Sequence, residues 1–178
     1  MTRAARWEWA FAVDAVARGD LLLLLDDDRA ARRPVDAGQR IWLLPSWRNE
    51  RPAAVKRSWW PEVSRANRER PADGRVPLRC LCEVVASHAL DDVVRMRIAT
   101  LHPWSREHAR SAERVLVVRA EARAEPRSVS APQMDETYDE LVLEPAEDGL
   151  LPALTDEAFA LHLAIVEGTS EAGHASRG

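Results

Sequence analysis

The segment WEWAFAVDAVARGDLLLLLDDD, residues 7–28, changes its apolar period at the centre. From 7 to 18, Trp9, Val13 and Val16, with Ala12 and Ala17 beside them, recur at helical spacing, and Gly19 follows as a natural helix cap. From 21 to 25 five leucines run together and stop at Asp26, Asp27 and Asp28, which reads as a buried strand ended by a polar turn. The chain is therefore expected to open with a helix that feeds a strand. Residues 41–44 read as a second strand, ended by Pro45 and paired with the first.

Further along, 78–87 and 93–101 read as strands around a turn at 88–92. Residues 105–112 read as a short helix, 114–124 as a strand with alternating faces, and 141–143 as one more strand. Thr155 is placed to cap a closing helix through Val166, with Asp156 and Glu157 in its first turn. Residues 46–77 hold Pro52, Pro61, Pro71 and Pro77 and many charges. They read as a long, mostly irregular insert with a short helix over 61–68. The order of elements gives an α+β fold. It is a single domain over 1–168 with a mixed or antiparallel, barrel-like sheet, an N-terminal and a C-terminal helix, and a disordered tail at 169–178.

The 178 residues, 46% hydrophobic and 30% charged, suit one globular core without disulfides or metals. The leucine run is too short to cross a bilayer, which needs about 20 residues. The basic start leads into an amphipathic segment rather than a signal core, so a cytoplasmic protein is expected. Cys80 and Cys82 are too close along a strand to bridge comfortably, which fits a reducing compartment. The net charge of −4 hides a segregation. Residues 29–79 carry thirteen basic and five acidic groups, whereas 135–171 carry eleven acidic groups and no Lys or Arg. A basic surface of this kind meets anions, with the acidic segment as its internal cover or competitor. Yet Lys56 is the one lysine against twenty-four arginines, the usage that GC-rich coding gives, and many of these arginines would then be plain surface.

All seven tryptophans lie before residue 105, each within three residues of an Arg or Lys, so indoles and guanidinium groups can share a surface. Trp59 and Trp60, tandem inside the basic insert, are the best exposed pair, because adjacent strand residues cannot both point inward; a lid over the core is the competing reading. The candidate ligand-binding residues are Trp47, Arg48, Arg51, Lys56, Arg57, Trp59, Trp60, His102 and Trp104. His102 stands at a strand end as an acid, base or polar contact, or as a packed core histidine. Asp26 to Asp28 have the oxygen ligands a hard cation wants, but a solvated turn accounts for them. Cys80 and Cys82 would share one strand face, with His88 or His102 available to complete a zinc shell; their spacing is not that of a zinc knuckle, and core packing is the reading adopted. No metal and no cofactor is expected. The glycines form no phosphate loop or dinucleotide pattern, and no lysine follows an acidic pair on a strand as a metal-dependent nuclease would require.

Glu8-Trp9-Ala10 through Ala15, Gly19-Asp20 with the leucine strand, and Trp42-Leu43-Leu44-Pro45-Ser46-Trp47 resemble the opening of the uncharacterised bacterial family known as domain of unknown function 1802. Its members read "EWAVAVEAL", "GxxILLLRKGG" and "FLLYPT". Leu101-His102-Pro103-Trp104-Ser105 is similar to its "HIWT" segment, Val115 to Arg119 to its "VLLLRVY" strand, and Thr137-Tyr138-Asp139-Glu140-Leu141 to its "SWVEL". The resemblance covers most of 7–166 and implies no activity. Two departures stand out. Asp26 to Asp28 replace a basic residue and glycines, and Pro45 to Glu50 lack the histidine of the family's "YPTYEHQ". A helix ending in glycine and feeding a strand also looks like the RNA-associated PUA and ASCH barrels, a likeness of fold pattern alone.

These readings favour a binding module over an enzyme, with nucleic acid or another anion as ligand. Arg48, Arg51, Lys56, Arg57 and Arg65 would contact phosphates while Trp47, Trp59 or Trp60 stack on bases. Two alternatives stand beside it. One is a small metal-dependent hydrolase or nuclease built on Asp26 to Asp28, Glu8 and His102; the other is a protein-interaction subunit whose tryptophans and arginines form a hot spot for a partner.

Overall fold

The computed structural model describes residues 3–26, 35–47, 52–130, 140–141 and 149–169. Strand β1 (Arg3–Trp9) runs directly into helix α1 (Ala10–Ala17), so a strand comes first and the helix starts later than its spacing suggests. The cause is a two-residue alternation ahead of the helix. Ala5 and Trp7 join one apolar cluster, while Arg6 and Glu8 are buried on the other face. At the far end Gly19 takes φ 78°, its N–H donates to the Val16 carbonyl at 3.0 Å, and the Asp20 N–H donates to Ala15 at 2.9 Å. The expected glycine cap is present.

The remaining strands are β2 (Leu23–Asp26), β3 (Arg40–Ser46), β4 (Arg75–Ala89), β5 (Arg114–Ser130), β6 (Glu140–Leu141) and β7 (Leu151–Pro152). Among the described residues they form one sheet in the order β2-β5-β4-β3-β1-β6, with β7 also on β5. β1 and β3 are parallel and every other pair is antiparallel. Thus β2 and β3, expected to pair, are not neighbours. β3 has both edges occupied, by β1 and by β4, and Leu23 to Asp26 pair instead with Val117 to Arg114 of β5. The long β4–β5 hairpin, from Arg75 opposite Ser130 to Ala89 opposite Arg114, holds the centre.

A second correction concerns 93–101, which is not a strand. Helix α3 (Asp92–Ile98) begins where the Asp91 carboxylate accepts from the Val94 N–H at 2.7 Å. Val94 and Ile98, one helical step apart, both face the core. Cap and spacing together outweigh the strand preference of the two valines. Helix α4 (Arg106–Arg110) is capped by the Ser105 hydroxyl, and helix α5 (Asp156–Glu167) by that of Thr155, as its sequence suggests.

The described part of the segment 46–77, from 52 on, is more regular than its prolines imply. Turns of 3-10 helix at Pro52–Ala54 and Arg57–Trp59 lead into helix α2 (Trp60–Arg68), and 75–77 already belong to β4. Pro61 lies in the first turn of α2, where its missing N–H costs nothing.

Both sheet faces are covered. On one, α1, α2 and α5 contribute Phe11, Val16, Val63, Ala66, Phe159 and Val166 to a core with Ile41, Leu43, Cys80, Cys82 and Val117. On the other, Trp42, Leu44, Leu78 and Leu81 pack with Ala5 and Trp7. The sheet curls into a half-barrel, a mixed α+β domain with helices at both ends. Arg79–Asp14 at 3.1 Å fastens α1 to β4, Arg18–Glu62 at 3.3 Å fastens α1 to α2, and an Arg119–Asp156 pair fastens α5 to β5. Asp156 thus meets an arginine outside the basic stretch 29–79. No described helix is long and apolar enough to cross a membrane. Of the tail expected to be disordered, 169–178, Thr169 is described, its N–H donating to the Ala164 carbonyl at 3.0 Å, and 170–178 lie outside the described residues.

Candidate functional site

Within the insert, residues 54–56 lie along residues 99–105. Val55 and Trp104 form an isolated bridge, the Lys56 N–H donates to the Pro103 carbonyl at 2.8 Å, and the Ser105 N–H donates to Ala54 at 2.8 Å. The Lys56 ammonium donates to the carbonyls of Ala99 and His102. It therefore closes the loop after α3 instead of standing free for a phosphate, and burial lowers its pKa.

His102 and Trp104, both expected on a ligand surface, are 6% and 2% exposed. His102 Nδ1 accepts from the Trp104 N–H at 3.2 Å. Its pKa is lowered to about 4, first by burial and then by the nearby Lys56 charge. His102 is a neutral core histidine, the plainer of its two readings. Trp104 is enclosed by an aromatic cluster, edge-on to Trp9 at 5.1 Å and to Phe11 at 5.4 Å, and tilted against His108 at 5.0 Å.

The tandem pair divides. Trp59 is half-buried against the core, 6.4 Å from the Phe11 ring. Trp60 is 41% exposed, and its indole N–H donates to the carbonyls of Pro52 at 2.9 Å and Val55 at 3.3 Å. Those bonds fix an outward-facing ring, and the Arg57 guanidinium lies over it at 5.8 Å. Trp47 turns inward, donating from Nε1 to the Ala66 carbonyl at 2.9 Å. Arg65 is paired with Glu62 at 2.6 Å. Arg48 and Arg51 lie outside the described residues. Of the nominated residues, Arg57 and Trp60 come together on the surface and Trp59 lies just beneath them in sequence. Lys56, His102 and Trp104 form the support behind.

Among the described residues the hydrolase constellation does not assemble. Asp26 and Glu8 both bind Arg6, at 2.8 and 3.5 Å, and His102 binds the Trp104 backbone. Among the described residues no three His, Cys, Asp or Glu side chains gather as a metal shell; Asp27 and Asp28 lie outside them. Cys80 and Cys82 are buried free thiols with sulfurs 3.5 Å apart, and burial pushes the Cys82 thiol up.

A cleft of about 200 Å³ opens beside Trp59, with Leu22, Leu23 and Val117 on the sheet side and Asp20, Thr100 and His162 as its polar lining. Asp20 comes from the turn after α1, Thr100 from the residues after α3, and His162 from α5. Three separate segments supply them, so no local spacing could announce the group.

The family model described as domain of unknown function (DUF1802) matches residues 5–164. The chain belongs to that family. No curated protein matches it. Among solved structures it is similar to ASCH from Zymomonas mobilis, at 15% identity and a TM-score of 0.44, over 91% of this chain and 94% of that one. A point mutant of that protein gives 15% identity and a TM-score of 0.45, over 92% and 95% of the two chains. Likenesses of this depth say nothing of what a DUF1802 protein binds.

Proposed function

We propose that this DUF1802 protein is a binding module for single-stranded nucleic acid, with Trp60 and Arg57 as its stacking platform. The observation that carries the reading is the fixed, outward ring of Trp60 with the Arg57 guanidinium over it. A rigid aromatic face receives a base with little ordering cost, and such a stack is worth about 1–3 kcal/mol per base. Arg57, Arg68 and Arg70 are exposed on this stretch and supply positive charge for phosphates, with Arg48 and Arg51 beside them in sequence.

The test is anisotropy of labelled single-stranded RNA and DNA at two salt concentrations, with wild type, Trp60→Ala and Arg57→Ala. The reading expects affinity that falls steeply with salt and drops roughly tenfold or more without the Trp60 ring. Absence of binding to either polymer at low salt would sink it. Binding indifferent to both salt and Trp60 would count against it equally.

A further inference from the structure

The cleft beside Trp59 is separate from the outward face of Trp60, which does not line it. Its volume of about 200 Å³ is below the roughly 300–1,000 Å³ of sites for drug-sized ligands, so it takes one ring system. Its walls are apolar and aromatic, with Trp59 on one side and Leu22, Leu23 and Val117 behind. The polar lining is selective. His162 Nδ1 lies 2.8 Å from the Ala158 carbonyl. A carbonyl only accepts, so Nδ1 carries a proton, and in the neutral tautomer this selects, Nε2 is an acceptor. Asp20 uses Oδ2 for Arg18 at 2.8 Å, and Oδ1 has no donor among the described residues. Thr100 adds a hydroxyl that donates or accepts.

We infer that this cleft binds one unstacked nucleobase whose Watson–Crick edge sets an amino group beside an unprotonated ring nitrogen, as adenine and cytosine do and guanine and uracil do not. The amino group donates to His162 Nε2 and the Asp20 carboxylate, the ring nitrogen accepts from Thr100, and the plane lies against Trp59. Uracil places a carbonyl where the amino group would be and turns acceptor against acceptor. A hydrogen-bonding pocket rejects such a mismatch strongly because its own groups are left unpaired. The inference rests on the nucleic-acid reading: a strand crossing Trp60 and Arg57 would deliver the base to Trp59, the adjacent residue.

The experiment titrates AMP, CMP, GMP and UMP into the intact protein by calorimetry and saturation-transfer NMR, with wild type, His162→Phe and Thr100→Trp. Thr100 is exposed, so its replacement by Trp fills the cleft without disturbing the core. AMP and CMP should bind at least tenfold more tightly than UMP. His162→Phe should erase that preference, and Thr100→Trp should abolish nucleotide binding. Equal binding of all four nucleotides, or binding untouched by Thr100→Trp, would overturn the inference. In parallel, an oligonucleotide carrying one abasic position is compared with its parent at Trp60-dependent affinity. Oligonucleotide binding that needs Trp60 while no mononucleotide binds would remove the cleft and leave the platform standing. Loss of both would remove the two together.

Discussion

Arg6 on β1 reaches Asp26 on β2 across the open side of the curled sheet, with Nη1 2.8 Å from Oδ1, although the two strands are not neighbours in it. A second nitrogen of the same guanidinium donates to the Leu25 carbonyl at 2.6 Å, and Glu8 stands 3.5 Å away. All three charged groups are shielded from water, so each depends on the others. Removing one partner of a buried pair costs about 3–5 kcal/mol, because the remaining charge is stranded. Asp26→Ala should therefore lose stability toward the lower end of that range, since Glu8 remains near Arg6. Arg6→Met, which strands both Asp26 and Glu8, should cost at least as much, and the double variant should lose less than the sum of the two single losses. Urea unfolding of the single and double variants decides it: additive losses would show that Arg6 and Asp26 do not act as a clamp.

Gly19 has two reasons to be glycine. Its φ of 78° costs an L-residue about 1–2 kcal/mol, and a Cβ there would lie 2.7 Å from Leu154 and 2.9 Å from the Ala153 carbonyl. Gly38, at φ 85°, has nothing within 4 Å of an added Cβ. Gly19→Ala should consequently destabilise clearly more than Gly38→Ala, and the excess measures the close approach of the chain before α5. Equal losses in thermal melts would mean the approach at Leu154 relaxes freely.

The His102 environment predicts an acid-sensitive fold. Its folded pKa, about 4, lies below the ordinary 6.5, so in the window between them the unfolded chain takes up a proton that the folded one refuses. Stability attributable to His102 is full above about 6.5 and falls as pH drops toward 4, by up to about 3 kcal/mol in all. His102→Asn should flatten the pH dependence of unfolding in that window relative to wild type. An unchanged slope would show that His102 protonates without penalty.

Much of this architecture was legible because it rests on local signals. Gly19 closes α1, Leu23 to Leu25 of the leucine run lie in β2, which starts two residues late and takes in Asp26, and Thr155 caps α5. What stayed hidden rests on competition or on distance. The β1 strand was masked because Trp9, its last residue, also begins the helical spacing, and because one of its two covered faces carries Arg6 and Glu8 instead of apolar side chains. The β2–β5 pairing depends on β3 being occupied on both edges, which no local pattern encodes. At the site, Trp59 and Trp60 stood out by composition. Asp20, Thr100 and His162 did not, since only the fold brings them to one cleft.

Cys80 and Cys82 should behave as core residues. Both are fully enclosed, and burial, the Cys80 contact and nearby Glu121 all push the Cys82 thiol up, away from the reactive thiolate. A thiol-specific reagent at neutral pH should find neither group until the protein unfolds, and then both at the unfolding rate. Rapid labelling of the native protein would show that this part of β4 opens on its own.

Lys56 is a structural cation, and in the proposed function its neighbour Arg57 is the binding one. Its ammonium is committed to the carbonyls of Ala99 and His102, whereas Arg57, the next residue, is exposed over Trp60. Lys56→Met leaves two carbonyls short of a donor and should cost about 1–3 kcal/mol of stability. Because no phosphate contact is lost, the dependence of oligonucleotide affinity on salt should keep its wild-type slope. Arg57→Ala should do the reverse, with little loss in melting temperature and a salt slope lower by about one. If Lys56→Met lowers the slope while Arg57→Ala leaves it intact, the bound strand runs over residues 99–105 rather than over the Trp60 face.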